Sequence, residues 1–424
     1  MGENDVKLLQ VNSVCGYGST GRIAADLARA AEKDGFLCKI AYGRGTAPDD
    51  CDTIRIGSEI GVNLHGVLSR ISDKHGFYST QATRAFLKEA DAFSPDLIHL
   101  HNIHGYYVNI ELLFEWLQSQ NKPVVWTLHD CWAFTGHCAH FDRIGCEKWK
   151  TGCHTCAQKG EYPASMVFDR SAWNYAQKKR LFTSLSNLTI VTPSAWLGSL
   201  ASQSFFKDTP VRVIENGIDP SVFHPVHDAP LSLPKGKKIV LGVASVWTKQ
   251  KGFDDLIALS ELLDDSFSVV IVGVTQAQKD ALPERVIGIT RTNNAHELAA
   301  LYTAAHAFVN PTYEDTFPTT NLEALACGTP VITYRTGGSP ESIDDTCGIV
   351  VEQGNVKALA DAVQSAAFST EACVSRGKLY DKNERFLEYL SLYHELLAYK
   401  NPVGMTPTSS APPPTAKPAC GGRS

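Results

Sequence analysis

The stretch EDTFPTTNLEALACG, residues 314–328, lies between the apolar runs AFVNPT and PVITY and joins acidic residues, a proline turn and a helix. Glu314 and Asp315 precede the turn, and Glu323 is expected to open the helix that ends at CGTP. A turn at a helix start presents free N–H groups and the positive end of the helix dipole to an anion. Glu323 offers two acceptors to vicinal hydroxyls. The stretch therefore predicts a site for a diphosphate and a diol, the combination found in a nucleotide sugar.

Strand-like runs alternate with helical patterns on both sides of this stretch. The N-terminal runs are VKLLQV, CKIAYG, DLIHLH, PVVWTLH and LTIVTPS, and the C-terminal ones include KIVLGVAS, FSVVIVG, VIGIT and GIVV. This βαβ rhythm predicts parallel sheets with ligands at the carboxyl ends of their strands. Residues 50–91 are mostly helical and are expected to cover the first sheet. The chain has 424 residues, and single cores stop growing at about 250 to 300, so we expect two α/β domains.

The domain limits follow from changes in composition. We predict an N-terminal domain over 1–218 and a C-terminal domain over 219–380, because HDAPLSLPKGKK lacks periodicity and is typical of a linker. A loop rich in cysteine, histidine and aromatic residues occupies 131–163. Apolar residues at helical spacing predict a terminal helix over 381–400, whereas 401–424 have too little apolar content to order themselves.

Charge and hydropathy exclude several classes of protein. The formal net charge of -6 disfavours a nucleic-acid binder. The N-terminus MGENDVKLLQ lacks the basic start and long apolar core of a signal peptide, and no run reaches the ~18 apolar residues of a membrane span. We therefore expect a cytoplasmic protein whose membrane contact is at most peripheral. The run QKKR at 177–180 is either a small basic patch for anionic lipid or a solvated helix face.

A second glycine-rich stretch, GYGSTGR, matches the dinucleotide pattern G-x-G-x-x-G at Gly16, Gly18 and Gly21. Residues 12–15 separate the predicted strand from the first glycine, and the second strand ends with Arg44 rather than a ribose-binding carboxylate. Both features disfavour NAD. An NADP site and a glycine turn without a ligand remain as alternatives.

Motifs along most of the chain resemble one family. In order they are GSTGR, PDLIHLHNIHGYY, TLHDCWAFTGHC, TPSAWL, IENGID, WTKQKGFDDL, the acidic stretch, and GTPVI with the following GG and PE. The sequence is similar to glycosyltransferase family 4, and within it to bacterial polysaccharide transferases of the colanic acid type. The resemblance implies a retaining enzyme of GT-B architecture, with two Rossmann-like domains facing across a cleft and a C-terminal helix returning to the N-terminal domain. It also implies that catalysis requires no metal.

The resemblance assigns roles to the acidic stretch. The family signature E-x7-E places Glu323 at its second glutamate and Asp315 at its first, with Glu314 one residue earlier. Glu323 is then expected to bind the nucleotide ribose, and either earlier carboxylate to reach sugar hydroxyls. The backbone of 316–320 is expected to line the sugar and the phosphates. The residues concerned are Thr316, Phe317, Thr319 and Thr320.

The resemblance also assigns cations to the donor diphosphate. Lys251 is expected to neutralise it, and Lys249 stands in for the arginine that the family usually places a few residues earlier. The alternative for a lysine before glycine is an exposed helix start. The glycine-rich loop becomes a candidate contact for the donor diphosphate or the acceptor. Its residues are Gly16, Gly18, Gly21 and Arg22.

Histidines follow two strands of the first domain. His129 in TLHD is expected to contact the donor sugar, as a histidine does in the family; the alternative is that it caps a loop together with Asp130. His99, His101 and His104 form a dense cluster after the run DLI. This cluster is either a metal site or, as we favour, a hydrogen-bonded wall of the cleft.

Four cysteines have the spacing C-x7-C-x6-C-x2-C at Cys138, Cys146, Cys153 and Cys156. This arrangement predicts a structural zinc site, because a C-x2-C arm with two further thiols closes a tetrahedral site in a loop that lacks its own core. Disulfides and unbonded thiols are the alternatives, and a reducing cytoplasm disfavours the first.

Together these features predict a retaining transferase that moves a sugar from a UDP- or GDP-sugar, held by the C-terminal domain 219–380, to a saccharide held by the N-terminal, acceptor-side domain 1–218. The resemblance implies that the acceptor can be a lipid-linked saccharide at the inner membrane face. Two alternatives remain: a UDP-sugar epimerase of the same shape, and a non-catalytic nucleotide-sugar or partner-binding protein.

Overall fold

The computed structural model describes residues 6–227 and 233–400, without the side chains of 399 and 400. The first half is built on a seven-stranded parallel sheet with strand order β3-β2-β1-β4-β5-β6-β7. Its strands are β1 Lys7–Val14, β2 Leu37–Arg44, β3 Thr53–Arg55, β4 Leu97–Leu100, β5 Val124–Thr127, β6 Leu188–Thr192 and β7 Val211–Val213. The strands β4, β5 and β6 are buried throughout. They read as continuous rather than alternating apolar runs because helices cover both faces of the sheet.

The second half is built on a six-stranded parallel sheet with strand order β10-β9-β8-β11-β12-β13. Its strands are β8 Lys238–Val243, β9 Phe267–Val272, β10 Val286–Ile289, β11 Ala307–Asn310, β12 Val331–Tyr334 and β13 Gly348–Val351. In each sheet the strand order reverses beside the first strand, and the switch creates a crevice at the carboxyl ends where ligands bind in open α/β sheets.

Helices cover both sheets. Those of the first half are α1 Gly18–Lys33, α2 Glu59–Ser72, α3 Thr80–Phe93, α4 Ile110–Gln120, α5 Ser171–Phe182 and α6 Ala195–Gln203. Those after it are α7 Phe253–Leu262, α8 Gln276–Asp280, α9 Ala295–Ala304, α10 Thr319–Ala326, α11 Val356–Ser365, α12 Thr370–Gly377 and α13 Lys382–Lys400. The α1 face against the sheet is mostly alanine and glycine, so the helix lies close to the strands.

The last helix, α13, returns to the first half. Tyr389 and Tyr393 are buried with residues of β1, β2 and β4 in one apolar cluster. The chain crosses between the halves twice, and the two crossings run side by side: Ile218 N donates to Tyr380 O at 2.8 Å, and Lys382 N donates to Ile218 O at 2.9 Å. A Cβ on Gly217 would lie 2.4 Å from Lys382 Cα, so this glycine permits the close crossing.

The two-domain α/β fold and the returning helix agree with prediction. One detail was wrong: β1 extends to Val14, so only Cys15 separates the strand from Gly16, and strand spacing does not argue against a dinucleotide. The boundaries at 218 and 380 stay predictions. Residues 228–232 of the expected linker and the expected tail 401–424 lie outside the described residues.

The segment 131–163 is a structured loop with three short 3-10 turns. Among the described residues no helix is long and apolar enough to cross a membrane.

Candidate active site between the two sheets

The glycine-rich loop joins β1 to the start of α1. Gly16 and Gly18 have φ of +75° and +64°, which side chains rarely adopt. A Cβ on Gly16 would also lie 2.2 Å from Pro48 Cγ. The N-cap residue Tyr17 makes no side-chain hydrogen bond to the first turn of α1, so that turn keeps N–H groups for a ligand. Arg22 is exposed on the same turn.

The acidic stretch forms a second helix start, opposite the first. Lys251 Nζ lies 2.7 Å from Asp315 Oδ2 and donates to Glu314 O at 3.2 Å. The other Asp315 oxygen accepts from Phe317 N at 3.2 Å. Both oxygens of Asp315 are therefore engaged within the loop. Pro318 is the N-cap of α10 and gives no side-chain cap, so Thr319 and Thr320 present the first turn of that helix.

Two glycines let this loop pack against the following strand–turn unit. A Cβ on Gly337 would lie 1.7 Å from Asp315 O, and one on Gly338 would lie 2.1 Å from Thr316 O. No side chain fits at either position. The GG of the sequence motif therefore fixes the path of the backbone at 315–316.

Glu323 lies half-buried on the first turns of α10, where its Oε2 accepts from Tyr302 Oη at 2.9 Å. Burial raises the pKa of Glu323 to about 7, against the opposing effects of the Tyr302 hydrogen bond and the positive charge of Arg22. Arg22 belongs to the other half, so its charge acts on Glu323 from across the cleft.

His129 ends a hydrogen-bonded relay through the first sheet. Gln10 Nε2 donates to Ala24 O at 3.0 Å, so Gln10 Oε1 accepts from His101 Nε2 at 2.9 Å. His101 Nδ1 must then accept from His129 Nε2, 3.2 Å away. Burial lowers the pKa of His129 to about 4, although Asp130 opposes this. His129 is thus a neutral imidazole with Nδ1 as a lone-pair acceptor.

The other two histidines are also hydrogen-bonded, His99 in the buried interface between the first sheet and α13 and His104 beside Asp130. His99 Nδ1 lies 2.6 Å from Tyr393 Oη, and its Nε2 lies 2.8 Å from Thr127 Oγ1. His104 Nε2 lies 2.9 Å from Asp130 Oδ2. Burial raises the pKa of Asp130, but His104, His140 and the Trp132 backbone N–H together lower it to about 2. Hydrogen bonds engage these rings, as the favoured alternative predicted, and Asp130 pairs with His104 rather than with His129.

Several contacts between described residues join the two halves at the cleft. Thr316 Oγ1 donates to the backbone oxygen of His129 at 3.0 Å. Asn216 Nδ2 donates to the backbone oxygen of Phe317 at 3.0 Å. Arg143 Nε lies 3.7 Å from Glu314 Oε1, and Gln250 Nε2 donates to Glu161 Oε2 at 3.2 Å. A further contact is a helix cap: the carboxylate of Glu341 accepts from the backbone N–H groups of Ala195 and Trp196, at 2.8 and 2.7 Å, at the start of α6.

These contacts hold the cleft closed. Two of the predicted site residues, Phe317 and Lys249, differ in how far they are exposed beside it. The Phe317 side chain is 1% exposed and packs with Tyr380, so only its backbone can face a ligand. Lys249 is exposed on the 3-10 turn before α7. The cap made by Glu341 was missed, although the PE of the motif and the serine N-cap signal in TPSAWL were both visible.

The four clustered cysteines lie in one neighbourhood of the loop 131–163. The neighbouring Cys138 thiol lowers the pKa of Cys156, against the opposing effect of burial. Cys153 Sγ accepts from Gly136 N at 3.1 Å, and both Cys146 and Cys156 act on the pKa of Cys153. Such N–H···S bonds suit a thiolate ligand.

The described residues contain another group with metal-ligand chemistry. One ligand atom from each of Asp73, His75 and His137 lies within 4.8 Å of the others, and all three residues are buried. In that part of the chain the cysteines form no such close group. Asp73 contacts His137 Nδ1 at 2.8 Å and accepts from Arg170 N at 2.6 Å, so this group also joins α2 to the cysteine-rich loop.

The run QKKR was expected to be either a basic patch or a solvated helix face; Lys179 and Arg180 are exposed on α5, whereas Lys178 points inward. Lys178 is fully buried and donates to the backbone oxygens of Trp132 and Thr135 at 2.7 and 3.1 Å. Its pKa falls to about 7 because of burial. Arg180 pairs with Glu111 at 2.6 Å. Lys178 therefore stabilises the cysteine-rich loop, and sequence alone could not show that this side chain points inward.

Comparison with known families and proteins agrees with this architecture. Residues 20–222 match the model of Glycosyltransferase Family 4, and residues 225–378 match that of Glycosyl transferases group 1. The chain is 25% identical to WcaC of Escherichia coli (strain K12), which is named as a colanic acid biosynthesis glycosyl transferase. The match covers 92% of this chain and the full length of WcaC. A D-inositol 3-phosphate glycosyltransferase of Corynebacterium jeikeium (strain K411) is 26% identical over 70% of each chain.

Solved structures share the fold. Sucrose-phosphate synthase of Thermosynechococcus elongatus superposes with a TM-score of 0.68 at 21% identity, covering 93% of this chain and 100% of its own. HepE of Anabaena, solved with UDP and glucose, gives 0.61 at 13% identity, covering 92% and 100%. The family matches lie on the two halves that enclose the cleft, and the chain belongs to the glycosyltransferases, with a family 4 N-terminal half and a group 1 C-terminal half on a GT-B fold.

Proposed function

We propose that the protein is a retaining glycosyltransferase that moves a sugar from a UDP- or GDP-sugar to a saccharide acceptor in cell-surface polysaccharide synthesis. The observation that carries the proposal is the convergence of two uncapped helix starts with Arg22, Lys251 and Glu323 at the carboxyl ends of two facing sheets. Helix starts and cations suit a diphosphate, and a carboxylate suits the two ribose hydroxyls.

In this proposal Lys251 and Arg22 stabilise the nucleoside diphosphate as it leaves. Lys251 is paired with Asp315 at 2.7 Å in the closed cleft, and the diphosphate competes with that carboxylate for the ammonium group. Fixed cations aimed at the leaving group lower the barrier because negative charge develops there during the reaction. Asp315, released from Lys251, becomes an acceptor for sugar hydroxyls.

Retention is assigned to attack from the face on which the diphosphate leaves. The bond from the anomeric carbon to the phosphate oxygen breaks, a bond to the acceptor oxygen forms, and the acceptor proton passes to the departing diphosphate. His129, neutral and with Nδ1 as an acceptor, positions a donor-sugar hydroxyl and tolerates the positive character of the sugar better than an imidazolium would. The closed cleft excludes water and limits donor hydrolysis.

The relatives support the choice of substrates. HepE is described in complex with UDP and with UDP-glucose, and the name of WcaC places that protein in colanic acid biosynthesis. We propose a growing saccharide, lipid-linked at the inner membrane face, as the acceptor.

Calorimetric titration with UDP, GDP and ADP, followed by assays of nucleotide release from the matching sugars, tests this function. The wild type is expected to bind UDP or GDP and to release it from one sugar donor with retained anomeric configuration. Lys251→Ala is expected to weaken nucleotide binding at least tenfold, whereas Lys279→Ala, a change at an exposed lysine of α8, leaves it unchanged. Absence of nucleotide binding by the wild type, or equal binding by both variants, contradicts the proposal.

A further inference from the structure

The outer face of α2 carries an apolar stripe that the described structure leaves uncovered. Ile60, Leu64, Val67 and Ile71 are 81, 57, 51 and 48% exposed. Their spacing of four, three and four residues places them in one row on the helix. The opposite, buried face carries Val62, His65, Gly66 and Ser69. The helix was expected to cover the sheet, and it does so with mainly small and polar residues while its large aliphatic ones face outward.

A second exposed segment continues this row. Met166, Val167 and Phe168 are 77, 56 and 49% exposed. Met166 N donates to Arg70 O at 2.7 Å, which fixes the segment beside the C-terminal end of α2. We call these seven residues the apolar strip. Contiguous exposed apolar surface of this kind marks a docking surface rather than scattered surface hydrophobicity.

Basic side chains frame the apolar strip. Lys159 Nζ donates to Val167 O at 3.3 Å, and the Arg170 guanidinium lies 5.4 Å from the centre of the Phe168 ring. Arg70 is exposed on α2 itself. Asp169 is engaged by Cys156 N and Ser171. Leucine, isoleucine, methionine and phenylalanine bordered by lysine and arginine are the composition of a surface that inserts at the boundary of an anionic bilayer.

The apolar strip lies beside the acceptor half of the cleft. The His65 ring, on the buried side of α2, lies 5.8 Å from that of Tyr106. Tyr106 packs on Tyr162, whose hydroxyl lies 3.0 Å from His104 Nδ1. His104 in turn pairs with Asp130, the neighbour of His129. A membrane seated on the strip would hold a lipid-linked acceptor next to the cleft entrance.

From this placement we propose that the apolar strip docks the protein on the surface of an anionic lipid bilayer, and that Arg70, Lys159 and Arg170 contact the headgroups. The inference rests on the proposed function for its acceptor, a lipid-linked saccharide. Residues 401–424 are a poor occupant, since their sequence is mainly proline, threonine, alanine, serine and glycine and offers only Val403 and Met405 as large aliphatic residues.

Vesicle flotation tests the proposal. The wild-type full chain is expected to float with vesicles of phosphatidylcholine and phosphatidylglycerol, and at least tenfold less with phosphatidylcholine alone. Leu64→Glu/Val67→Glu removes binding to both. Arg70→Gln/Lys159→Gln weakens only the binding to anionic vesicles. The matched control Leu262→Glu/Leu379→Glu, which alters leucines 50 and 56% exposed in the second half, binds as the wild type does.

Unchanged thermal unfolding and unchanged UDP or GDP affinity of Leu64→Glu/Val67→Glu show that the variant is folded. A wild type that does not float, equal flotation of the wild type and this variant, or equal binding to both vesicle types overturns the proposal. So does a wild-type dimer that becomes monomeric in the variant, because a second copy then covers the strip. Nucleotide release from sugar donors without vesicles tests the proposed function separately. Absence of release contradicts that function. Failed flotation with intact release contradicts only the docking surface.

Discussion

At the scale of single residues, the site depends on a carboxyl group whose charge is set mainly by its burial. Glu323 has a pKa raised to about 7, chiefly by burial. If it binds the ribose hydroxyls, it must be ionised to accept from both. The charge of Glu323 therefore links nucleotide binding to pH near neutrality.

We expect nucleotide affinity to fall as pH decreases from 8 to 6. The carboxyl is ionised above about pH 7 and takes up a proton below it, so the loss approaches about tenfold per pH unit below the pKa. Calorimetric titration of UDP or GDP at several pH values measures this. Glu323→Gln should bind the nucleotide weakly, with an affinity that depends less on pH. Glu352→Gln, at an exposed site, should show the same pH dependence as the wild type. If nucleotide affinity depends on pH equally in Glu323→Gln and the wild type, Glu323 does not bind the ribose as an ionised carboxylate.

At the scale of helices and strands, α13 is held by hydrogen bonds that sequence separation conceals. Tyr393 Oη and His99 Nδ1 lie 2.6 Å apart but 294 residues apart in the chain. Helical spacing predicted the helix itself and the histidine-rich strand end. It gave no signal that the two would meet, because such a pair depends on how distant elements pack.

Tyr393→Phe should destabilise the fold by about 1 to 3 kcal/mol, because a buried ring nitrogen loses its partner. Urea unfolding followed by intrinsic fluorescence measures the change. Leu387→Ala alters a 56% exposed residue of the same helix and should leave the midpoint nearly unchanged. Equal midpoints for Tyr393→Phe and the wild type would mean that the hydrogen bond does not anchor α13.

The cysteine-rich loop is expected to contain about one zinc ion per chain, since four thiols share one neighbourhood. Elemental analysis of protein purified without chelator measures the content. Cys153→Ser and Cys156→Ser should each lose the metal and lower the melting temperature, whereas Cys51→Ser retains it. If the metal is retained in both cysteine variants but lost in His137→Ala, the group of Asp73, His75 and His137 binds it instead. A wild type without metal would contradict both.

Sequence patterns indicated the strands and helices better than the faces that the helices present. The alternation of strand-like runs and helical patterns predicted both parallel sheets. The acidic stretch, followed by GTPVI and GG, predicted the turn and helix that follow Asp315. Helical periodicity identifies an apolar row but not the direction in which it faces, so the outward stripe of α2 at Leu64 was missed. The same limit explains Lys178, whose inward position depends on backbone oxygens of a loop more than 40 residues earlier.

At the scale of the whole molecule, the two halves are joined by paired crossings and by the cap that Glu341 makes on α6. The crossings near Gly217 and Lys382 are narrow, so they suit a hinge. The cap joins Glu341 of the second half to Ala195 of the first, so a movement that separates these two elements breaks it. Closure and the integrity of this cap are therefore coupled.

Glu341→Ala should shift the molecule toward an open cleft. The variant loses a carboxylate that accepts two N–H groups at a helix start, worth about 2 kcal/mol, or roughly 30-fold in the closure equilibrium. Small-angle scattering without ligand should show a larger radius of gyration, and nucleotide affinity should fall by up to the same factor if the closed form binds the donor. Glu352→Ala removes an ion pair within the second half, to Arg335, and should change neither quantity. A scattering profile of Glu341→Ala that matches the wild type, with unchanged affinity, would show that closure depends on the other contacts across the cleft, those of Thr316, Asn216, Arg143 and Gln250.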